Sequence, residues 1–319
     1  MNLVCKAWPM LIHYRQIQHR IEFEKPVIFP TLPTFLFRSI LGKELRRLVC
    51  IFRDRPCGEC GLKFTCAYSW MFETPIEKET PVLEGRDRAS HPFLLATDAV
   101  PQQSYQGITL TLTILGKAIE YYPYLYYALR RAGEIGVLRD RIPYRIMDVR
   151  CEDRSILQGN DSLHPTYGIR EWCFLPQTKE NRNCAGKTES VQLFLDTPLR
   201  LRIEGKYSDS FTAPQFLEAL WRRAQILCSF YGQENGKESP ILNLTDPEIR
   251  ILSRSFQWKD YPYFSSRQKK LLRLGGIVGE FTMQGALSPA ESALLYFGEL
   301  FHVGKNTAFG LGRYHVSKG

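Results

Sequence analysis

The part of this sequence best suited to chemistry lies near the C-terminus, where glycines and cations are interspersed in one short stretch. Its informative residues are Gly304, Lys305, Gly310, Gly312 and Arg313. Glycine permits positive φ angles and lets the backbone approach a bulky ligand closely. Backbone amides and cationic side chains together suit the oxygens of a phosphate group. We therefore predict that this segment, called the glycine loop (residues 303–313), binds phosphate.

The residues before the glycine loop predict a helix that presents the loop at its C-terminal end. Ser288 suits the N-cap, Pro289 suits the first helical position, and Glu291 would complete a capping box. Leu294 and Phe301 recur at helical spacing and would face a core. Dinucleotide-binding and Walker loops have the reverse order, in which a strand precedes the glycines and a helix follows them. Neither nucleotide-binding fingerprint therefore fits this segment.

Four cysteines in the first half have the spacing of metal ligands. Cys57, Cys60 and Cys66 form a C-x2-C-x5-C pattern, and Cys50 could supply a fourth thiolate. Zinc in a closed four-thiolate site is the preferred interpretation, and an iron–sulfur cluster is the other metal to consider. The alternative is a compact loop of reduced cysteines without metal. In each case the predicted role is structural, so no metal is expected to serve in catalysis.

Composition limits the class of protein and the kind of partner. The chain has 319 residues, of which 44% are hydrophobic and 13% aromatic, enough to fill two cores. Its net charge of +9 favours a nucleic acid or another polyanion as partner. No run of eighteen apolar residues is present, so we expect neither a membrane span nor a signal peptide, and a cytoplasmic location.

Each half of the chain has the pattern of a strand, a helix, two strands, a helix and a strand. In the first half we predict one or two strands within 11–29, strands at 108–115 and 144–149, and helices at 32–49 and 121–131. In the second half we predict strands at 191–201, around 256 and at 276–283, a short strand after the glycine loop, and helices at 213–231 and 289–301. This α+β pattern indicates two tandem ferredoxin-like (RRM-like) domains, at 1–183 and 188–319, with a polar linker within 179–187.

Several segments in this order resemble a known family. They are the glycine loop, residues 271–281, residues 193–200, residues 265–268 and the cysteine cluster. The sequence resembles the CRISPR-associated endoribonuclease that processes repeat RNA. That family belongs to the repeat-associated mysterious protein (RAMP) superfamily, whose signature is a C-terminal glycine-rich loop. The resemblance implies precursor CRISPR RNA as partner, and other Cas proteins of an effector complex as further partners; a homodimer is left open.

The resemblance also implies a reaction. In that family a 2′-hydroxyl attacks the adjacent phosphate without metal and leaves a 2′,3′-cyclic phosphate and a 5′-hydroxyl. Such chemistry needs a base, an acid and cations beside the developing charge, and histidine suits the first two roles. Members of the family often have a histidine on or near the first helix of the first domain. Residues 32–49 of this sequence contain none.

The catalytic candidates must therefore come from elsewhere. His302 is the first choice as general acid because it directly precedes the glycine loop. The alternative is that His302 only interacts with the last carbonyls of its helix. His13 and His19 lie on the first predicted strand, and His164 lies in a loop of unassigned position. Arg38 and Lys43 are added as charge stabilisers because of their place on the first predicted helix.

RNA binding would use cations from three places in the sequence. They are Arg46 on the first helix, Arg267 with its basic neighbours, and Lys305 and Arg313 with the glycines of the loop. The alternative for each basic face is an ordinary solvated surface. Because the expected histidine is missing, a protein that binds repeat RNA without cleaving it is the second hypothesis. A third is a RAMP subunit that holds guide RNA in an effector complex.

Overall fold

The computed structural model of this chain contains two large antiparallel sheets, each covered by two helices, and two small two-stranded sheets. It describes residues 10–76, 88–158, 162–164, 168–174, 189–232, 249–265 and 269–318, and every structural statement below refers to these. The predicted linker at 179–187 lies outside them. No helix among these residues is long and apolar enough to cross a membrane.

The first unit is built on β1, the long strand Met10–Ile28. The elements after it are α1 (Pro33–Val49), β2 (Phe93–Thr97), β3 (Ser104–Leu115), α2 (Tyr122–Ile135), β4 (Tyr144–Cys151), β5 (Arg154–Ser155), β6 (Leu157–Gln158), β7 (Ser162–Leu163) and β8 (Arg170–Phe174). The sheet has the order β2-β3-β1-β4-β5, and β8 pairs with the beginning of β1.

The second unit repeats the plan. Its elements are β9 (Glu189–Leu199), β10 (Arg202–Ile203), β11 (Lys206–Tyr207), α3 (Ala213–Tyr231), β12 (Arg250–Ser265), β13 (Lys270–Gly285), α4 (Pro289–Phe301) and β14 (Tyr314–Lys318). Its sheet has the order β12-β13-β9-β14, which is the order β2-β3-β1-β4 of the first unit. The prediction of two tandem ferredoxin-like folds is confirmed.

Local sequence signals explain where the helices begin. Ser288 accepts a hydrogen bond from the Glu291 amide and the Glu291 carboxylate bonds back, which completes the predicted capping box of α4. Thr212 and Gln215 do the same for α3. On α1 the predicted inward face is buried at Leu41 and its neighbours, but Leu48, predicted on the same face, is 43% exposed.

One hydrophobic core spans the two units, and a second core lies mainly within the first unit. Tyr14 of β1 meets Phe301 of α4 edge to face with ring centroids 5.1 Å apart. Trp172 of β8 packs against Phe297 at 4.7 Å, and all four side chains are buried. Burying an aromatic side chain of this size contributes roughly 1.5–3 kcal/mol. The interface therefore holds the end of α4, and with it the start of the glycine loop, in a fixed place against the first unit.

Candidate nucleic-acid interface

The glycine loop is a tightly packed connection between α4 and β14. Gly304, Gly310 and Gly312 have φ angles of 86°, 81° and 73°, as predicted for residues that need glycine. A Cβ on them would lie 2.5 Å from the Arg200 carbonyl oxygen, 2.7 Å from that of Leu95 and 1.8 Å from that of Val303, respectively. The close backbone approach predicted from sequence is therefore made to the protein's own carbonyls.

The loop binds directly to the first unit. The Thr34 hydroxyl, at the start of α1, donates a 2.7 Å hydrogen bond to the Phe309 carbonyl. Arg313 donates from Nη1 to the Thr97 carbonyl at the end of β2, over 3.2 Å. In the second half of the loop, Phe309 is thus anchored to α1 and Arg313 is anchored to β2. This arrangement brings cations of both units to one junction.

Arg38 stands at this junction, between aromatic rings. Its guanidinium carbon lies 4.7 Å from the ring centroids of both Phe72 and Phe309. Its Nη2 donates to Nε2 of His91 over 3.1 Å. Burial lowers the pKa of Arg38, yet a guanidinium remains charged in proteins. Arg38, selected for its place on the first predicted helix, is therefore a desolvated cation in contact with the glycine loop.

His91 is a site residue that the sequence analysis did not select. Burial, followed by the charge of Arg38, lowers its pKa to about 3, so the ring is neutral at neutral pH. Its Nε2 already accepts from Arg38, and its Nδ1 has no hydrogen-bond partner among the described residues. His91 cannot act as a general acid in this state. Its place suggests that it orients Arg38.

A cavity of about 810 Å³ opens beside the first half of the glycine loop. Its walls come from residues 89–91 of the first unit, from α3, from the turn between β10 and β11, and from residues 304–309. The cations that line it are Arg200, Arg202, Arg222, Arg223 and Lys305, and its acids are Glu204 and Glu218. We call it the arginine cavity. Its charge suits a phosphate-bearing ligand.

Two arginines of this cavity are buried with hydrogen-bonding capacity left over. Arg200 is 6% exposed, and its guanidinium lies 4.2 Å from the Tyr207 ring centroid. Its Nε and Nη1 have no hydrogen-bond partner among the described residues. Arg223 donates from Nε to the carbonyls of Phe301 and His302, but its Nη2 is likewise unpartnered. Burial lowers the pKa of Arg223 to about 10, so it stays charged.

Known protein families match each of the two units described above. Residues 193–314 match the family model of the CRISPR-associated endoribonuclease Cas6. This match covers most of the second unit. Residues 11–167 match the family AF_1859_N, described as an N-terminal domain. An uncharacterized protein of Archaeoglobus fulgidus is 22% identical over 293 residues, which cover 89% of this chain and 92% of that protein.

Solved structures show the same fold over nearly the whole chain. A Cas6 product complex is 16% identical, covers 95% of this chain and 99% of its own, and has a TM-score of 0.50. A partial Cas6-RT-Cas1–Cas2 complex is 12% identical with a TM-score of 0.56. That match covers 98% of this chain, which spans 47% of that longer protein. The second unit and the fold therefore resemble those of Cas6 proteins, as the glycine loop indicated.

His302, the first sequence choice for the catalytic acid, lies at the end of α4 inside the protein. It is 4% exposed, and burial together with Arg223 and Arg313 lowers its pKa to about 3. Its backbone has φ 56° and ψ 170°, a conformation that is costly for a residue with a side chain. A neutral, enclosed imidazole has no proton to give at neutral pH. The geometry therefore argues against His302 as the acid of a Cas6 reaction.

The other predicted cations are not gathered at the junction. Lys43 is exposed on α1, and Arg46 lies farther along the same helix with its guanidinium 5.7 Å from the Tyr68 ring centroid. At 1.5 Å per residue, Arg46 is roughly 18 Å along α1 from Thr34. Arg267 lies outside the described residues. Of the predicted set, only Arg38, Lys305 and Arg313 are placed beside the glycine loop or the arginine cavity.

The remaining histidines divide into buried and surface groups. His19 is a core residue, bonded to the Leu110 carbonyl and the Tyr122 hydroxyl, and burial lowers its pKa to about 4. His13 pairs with Glu171 on the surface, and His164 is exposed. His315 pairs with Asp196 next to the glycine loop. Among these four, only His315 adjoins the glycine loop and is open to solvent.

The four cysteines proposed as ligands lie in the segment after α1. Cys50, Cys57, Cys60 and Cys66 are all half-buried free thiols. Burial and the charges of Glu73 and nearby cysteines raise the pKa of Cys57, although Arg46 opposes this. Among the described residues, no three His, Cys, Asp or Glu side chains are placed to hold a metal ion. The zinc site therefore stays a prediction.

We expect the purified full chain to carry about one zinc per molecule if this cluster binds metal. Elemental analysis after gel filtration checks the content, and Cys57→Ser should reduce it to background because a closed site needs every thiolate. Cys173→Ser is the matched control, since Cys173 is an exposed cysteine far along the sequence. A folded wild-type protein without zinc or iron would contradict the prediction.

Proposed function

We propose that this protein binds CRISPR repeat RNA and cleaves it as an endoribonuclease. The observation that supports this best is the arginine cavity beside the loop of a Cas6 domain. The cavity has walls from both units and is lined by five cations and two acids. Two of its arginines have guanidinium N–H groups without a hydrogen-bond partner among the described residues. These properties suit an RNA backbone. Other Cas proteins are proposed as further partners.

The cleavage proposed is the metal-independent reaction implied by the family. Arg38 is desolvated against Phe72 and Phe309, and a cation in such surroundings stabilises developing phosphorane charge more strongly than one in water. Lys305 lines the arginine cavity and adds a second charge. Incubation with labelled repeat RNA in EDTA, followed by analysis of product ends, tests the reaction. Ends other than a cyclic phosphate and a 5′-hydroxyl would refute this mechanism.

Binding without cleavage is the second candidate, and one observation favours it. His91 and His302, the histidines nearest the first half of the loop, are both buried and neutral. If they were the only acid–base groups available, the chain would hold repeat or guide RNA without cutting it. Tight binding with no product in the EDTA assay would establish this alternative.

Arg200→Met tests whether the arginine cavity binds RNA. We expect the affinity for repeat RNA to fall about tenfold to a hundredfold, because a charged hydrogen bond to phosphate contributes roughly 1.5–3 kcal/mol. The slope of log K against log salt should decrease by about 0.7–0.9, the loss of one phosphate contact. Fluorescence anisotropy at several salt concentrations measures both.

Arg254→Met is the matched control. Arg254 also lies near an aromatic ring, 5.9 Å from the Phe256 centroid, but it is exposed and does not line the cavity. The Arg254→Met substitution removes one positive charge from the protein, as Arg200→Met does. Equal losses for the two variants would mean that only net charge matters and would remove the cavity from the proposal. Without RNA, the melting temperature of Arg200→Met should be no lower than that of the wild type, because two of the N–H groups that the substitution removes have no hydrogen-bond partner among the described residues.

A further inference from the structure

Asp196 and His315 form a hydrogen-bonded pair on the exposed face of the second sheet. They lie on the adjacent strands β9 and β14, where His315 is opposite Phe194. His315 Nδ1 is 2.7 Å from Asp196 Oδ1, and the imidazole stacks on the Phe194 ring with centroids 5.0 Å apart and an angle of 11°. The His315 side chain is 56% exposed. The ring is therefore held in place from two directions and still faces solvent.

Arg313 joins this pair to the glycine loop. It is the last residue of the loop, and its Nε lies 3.3 Å from the second carboxylate oxygen of Asp196. Its Nη1 reaches the Thr97 carbonyl of the first unit. The Arg313 amide also donates to the Thr197 hydroxyl, the residue after Asp196. A cation is thus fixed next to the pair, at the point where the Cas6 loop meets the first unit.

The hydrogen bond to Asp196 sets the protonation pattern of the ring. An ionised carboxylate only accepts hydrogen bonds, so the Nδ1 of His315 must carry the proton. In the neutral ring the lone pair is then on Nε2, which has no hydrogen-bond partner among the described residues. An oriented imidazole with a free basic nitrogen is the usual group for taking a proton from a hydroxyl.

We propose that His315 is the general base of RNA cleavage, that Asp196 positions it, and that Arg313 faces the scissile phosphate. This deepens the proposed function and rests on it. Nε2 takes the proton of the 2′-hydroxyl as the O2′–P bond forms and the P–O5′ bond breaks. The departing 5′-oxygen takes a proton from water, so charge and atoms balance and nothing is oxidised or reduced.

The test uses the full chain in excess over labelled repeat RNA from its own array, in EDTA, so that a single turnover is observed. His315→Phe keeps a ring that can stack on Phe194 but removes both nitrogens. We expect the cleavage rate to fall at least about a hundredfold, the typical contribution of a general base, with RNA affinity within about twofold of wild type. In His315→Ala, added imidazole should restore part of the rate.

Asp196 is tested as a positioning residue by a pair of substitutions. Asp196→Asn should lower the cleavage rate about tenfold or more at unchanged RNA affinity, because an amide no longer fixes the Nδ1–H form. Asp196→Glu keeps the carboxylate and should recover part of that loss. His13→Ala is the control, because His13 also pairs with a carboxylate, that of Glu171, but lies on β1 of the first unit. Its cleavage rate should equal that of wild type.

Results for the wild type test RNA binding and cleavage as such, and results for the variants test the role of His315. Wild-type protein that neither binds nor cleaves repeat RNA would end the proposed function and this inference with it. Cleavage at the wild-type rate by both His315→Phe and Asp196→Asn would overturn the inference and leave the endoribonuclease intact. Binding without any cleavage by the wild type would also overturn it. Circular dichroism melts of each variant separate a lost fold from a lost base.

Discussion

Replacing Gly312 by alanine is expected to lower the free energy of unfolding by at least about 3 kcal/mol. The φ angle of Gly312 is 73°, and a Cβ there would lie 1.8 Å from the Val303 carbonyl oxygen. Real Cβ atoms do not come that close to a backbone atom, so the chain must move. Left-handed strain alone costs roughly 1–3 kcal/mol, and the displacement adds to it. Urea unfolding followed by circular dichroism measures the loss.

The neighbours of Gly312 cannot move away cheaply. Its amide donates to the Pro198 carbonyl and its carbonyl accepts from the Val303 amide, each over 3.0 Å. The Val303 bond joins the two ends of the loop and the Pro198 bond joins the loop to β9, so a shift of Gly312 breaks a backbone hydrogen bond. We therefore expect the glycine loop to be displaced and RNA affinity to fall together with stability. A natural domain is stable by only about 5–15 kcal/mol, so the loss is a large fraction.

Gly205→Ala is the matched control for this prediction. Gly205 also has a positive φ, 80°, but an added Cβ would meet no atom within 4 Å. It should therefore show only the cost of left-handed strain, about 1–2 kcal/mol. The difference between the two variants isolates the steric contact with Val303. Equal losses would mean that the loop relaxes freely, contrary to the packing described above.

The fold was largely predictable because its helices are defined by local signals. The bounds expected for α3 and α4 agree with the structure, and the Ser288 capping box has the predicted hydrogen bonds. Caps depend on neighbours three residues apart, which a sequence shows directly. The duplicated element order then fixed the strand order of both sheets. Three strands of the first sheet, β2, β5 and β8, were not predicted.

The strand β2 was missed because it is buried on both faces. Leu94 packs into the core shared by the two units, while Phe93 and Leu95 pack into the core of the first. Such a strand shows no alternation of apolar and polar residues. It also lies in a stretch whose overall composition is that of a connection. Only the second unit, packed against it, explains why Leu94 needs to be apolar.

The site was less predictable because its residues meet through long-range contacts. Arg200 and Arg223 resemble surface arginines in the sequence, and only the tertiary structure buries them. His315 was overlooked as a catalytic candidate although it follows the loop. Its partner Asp196 is 119 residues away and reaches it only through the pairing of β9 with β14. His302 was favoured by its position along the chain, which gave no information about burial.

A second large effect is expected on acidification, where stability should fall steeply between pH 6.5 and pH 4. His19, His91 and His302 are buried as neutral rings, with pKa values lowered by burial to about 4, 3 and 3. In the unfolded chain each would titrate near 6.5. Below that pH the unfolded state therefore binds more protons, so stability is complete above about pH 6.5 and is lost as the pH falls toward the folded pKa values.

The size of this effect follows from the number of protons taken up. Each histidine contributes a slope of about 1.4 kcal/mol per pH unit, so three give at most about 4 kcal/mol per unit. Urea unfolding at pH 7, 6, 5 and 4.5 measures the slope. A free energy of unfolding that does not change over this range would contradict the burial of these rings.

The substitution His302→Gly measures how much one of the three buried histidines contributes to the slope of the unfolding free energy against pH. Glycine adopts the φ of 56° and ψ of 170° without strain, and the variant lacks the titrating ring. The pH slope should therefore decrease by about one proton, whatever the change in stability at pH 7. His164→Ala, which removes an exposed imidazole, is the control for the loss of a surface histidine. In the wild type, a proton on His302 would sit beside Arg223 and Arg313, which already lower its pKa. Because Arg223 bonds the carbonyl of His302 itself, acid should release the start of the glycine loop from α3.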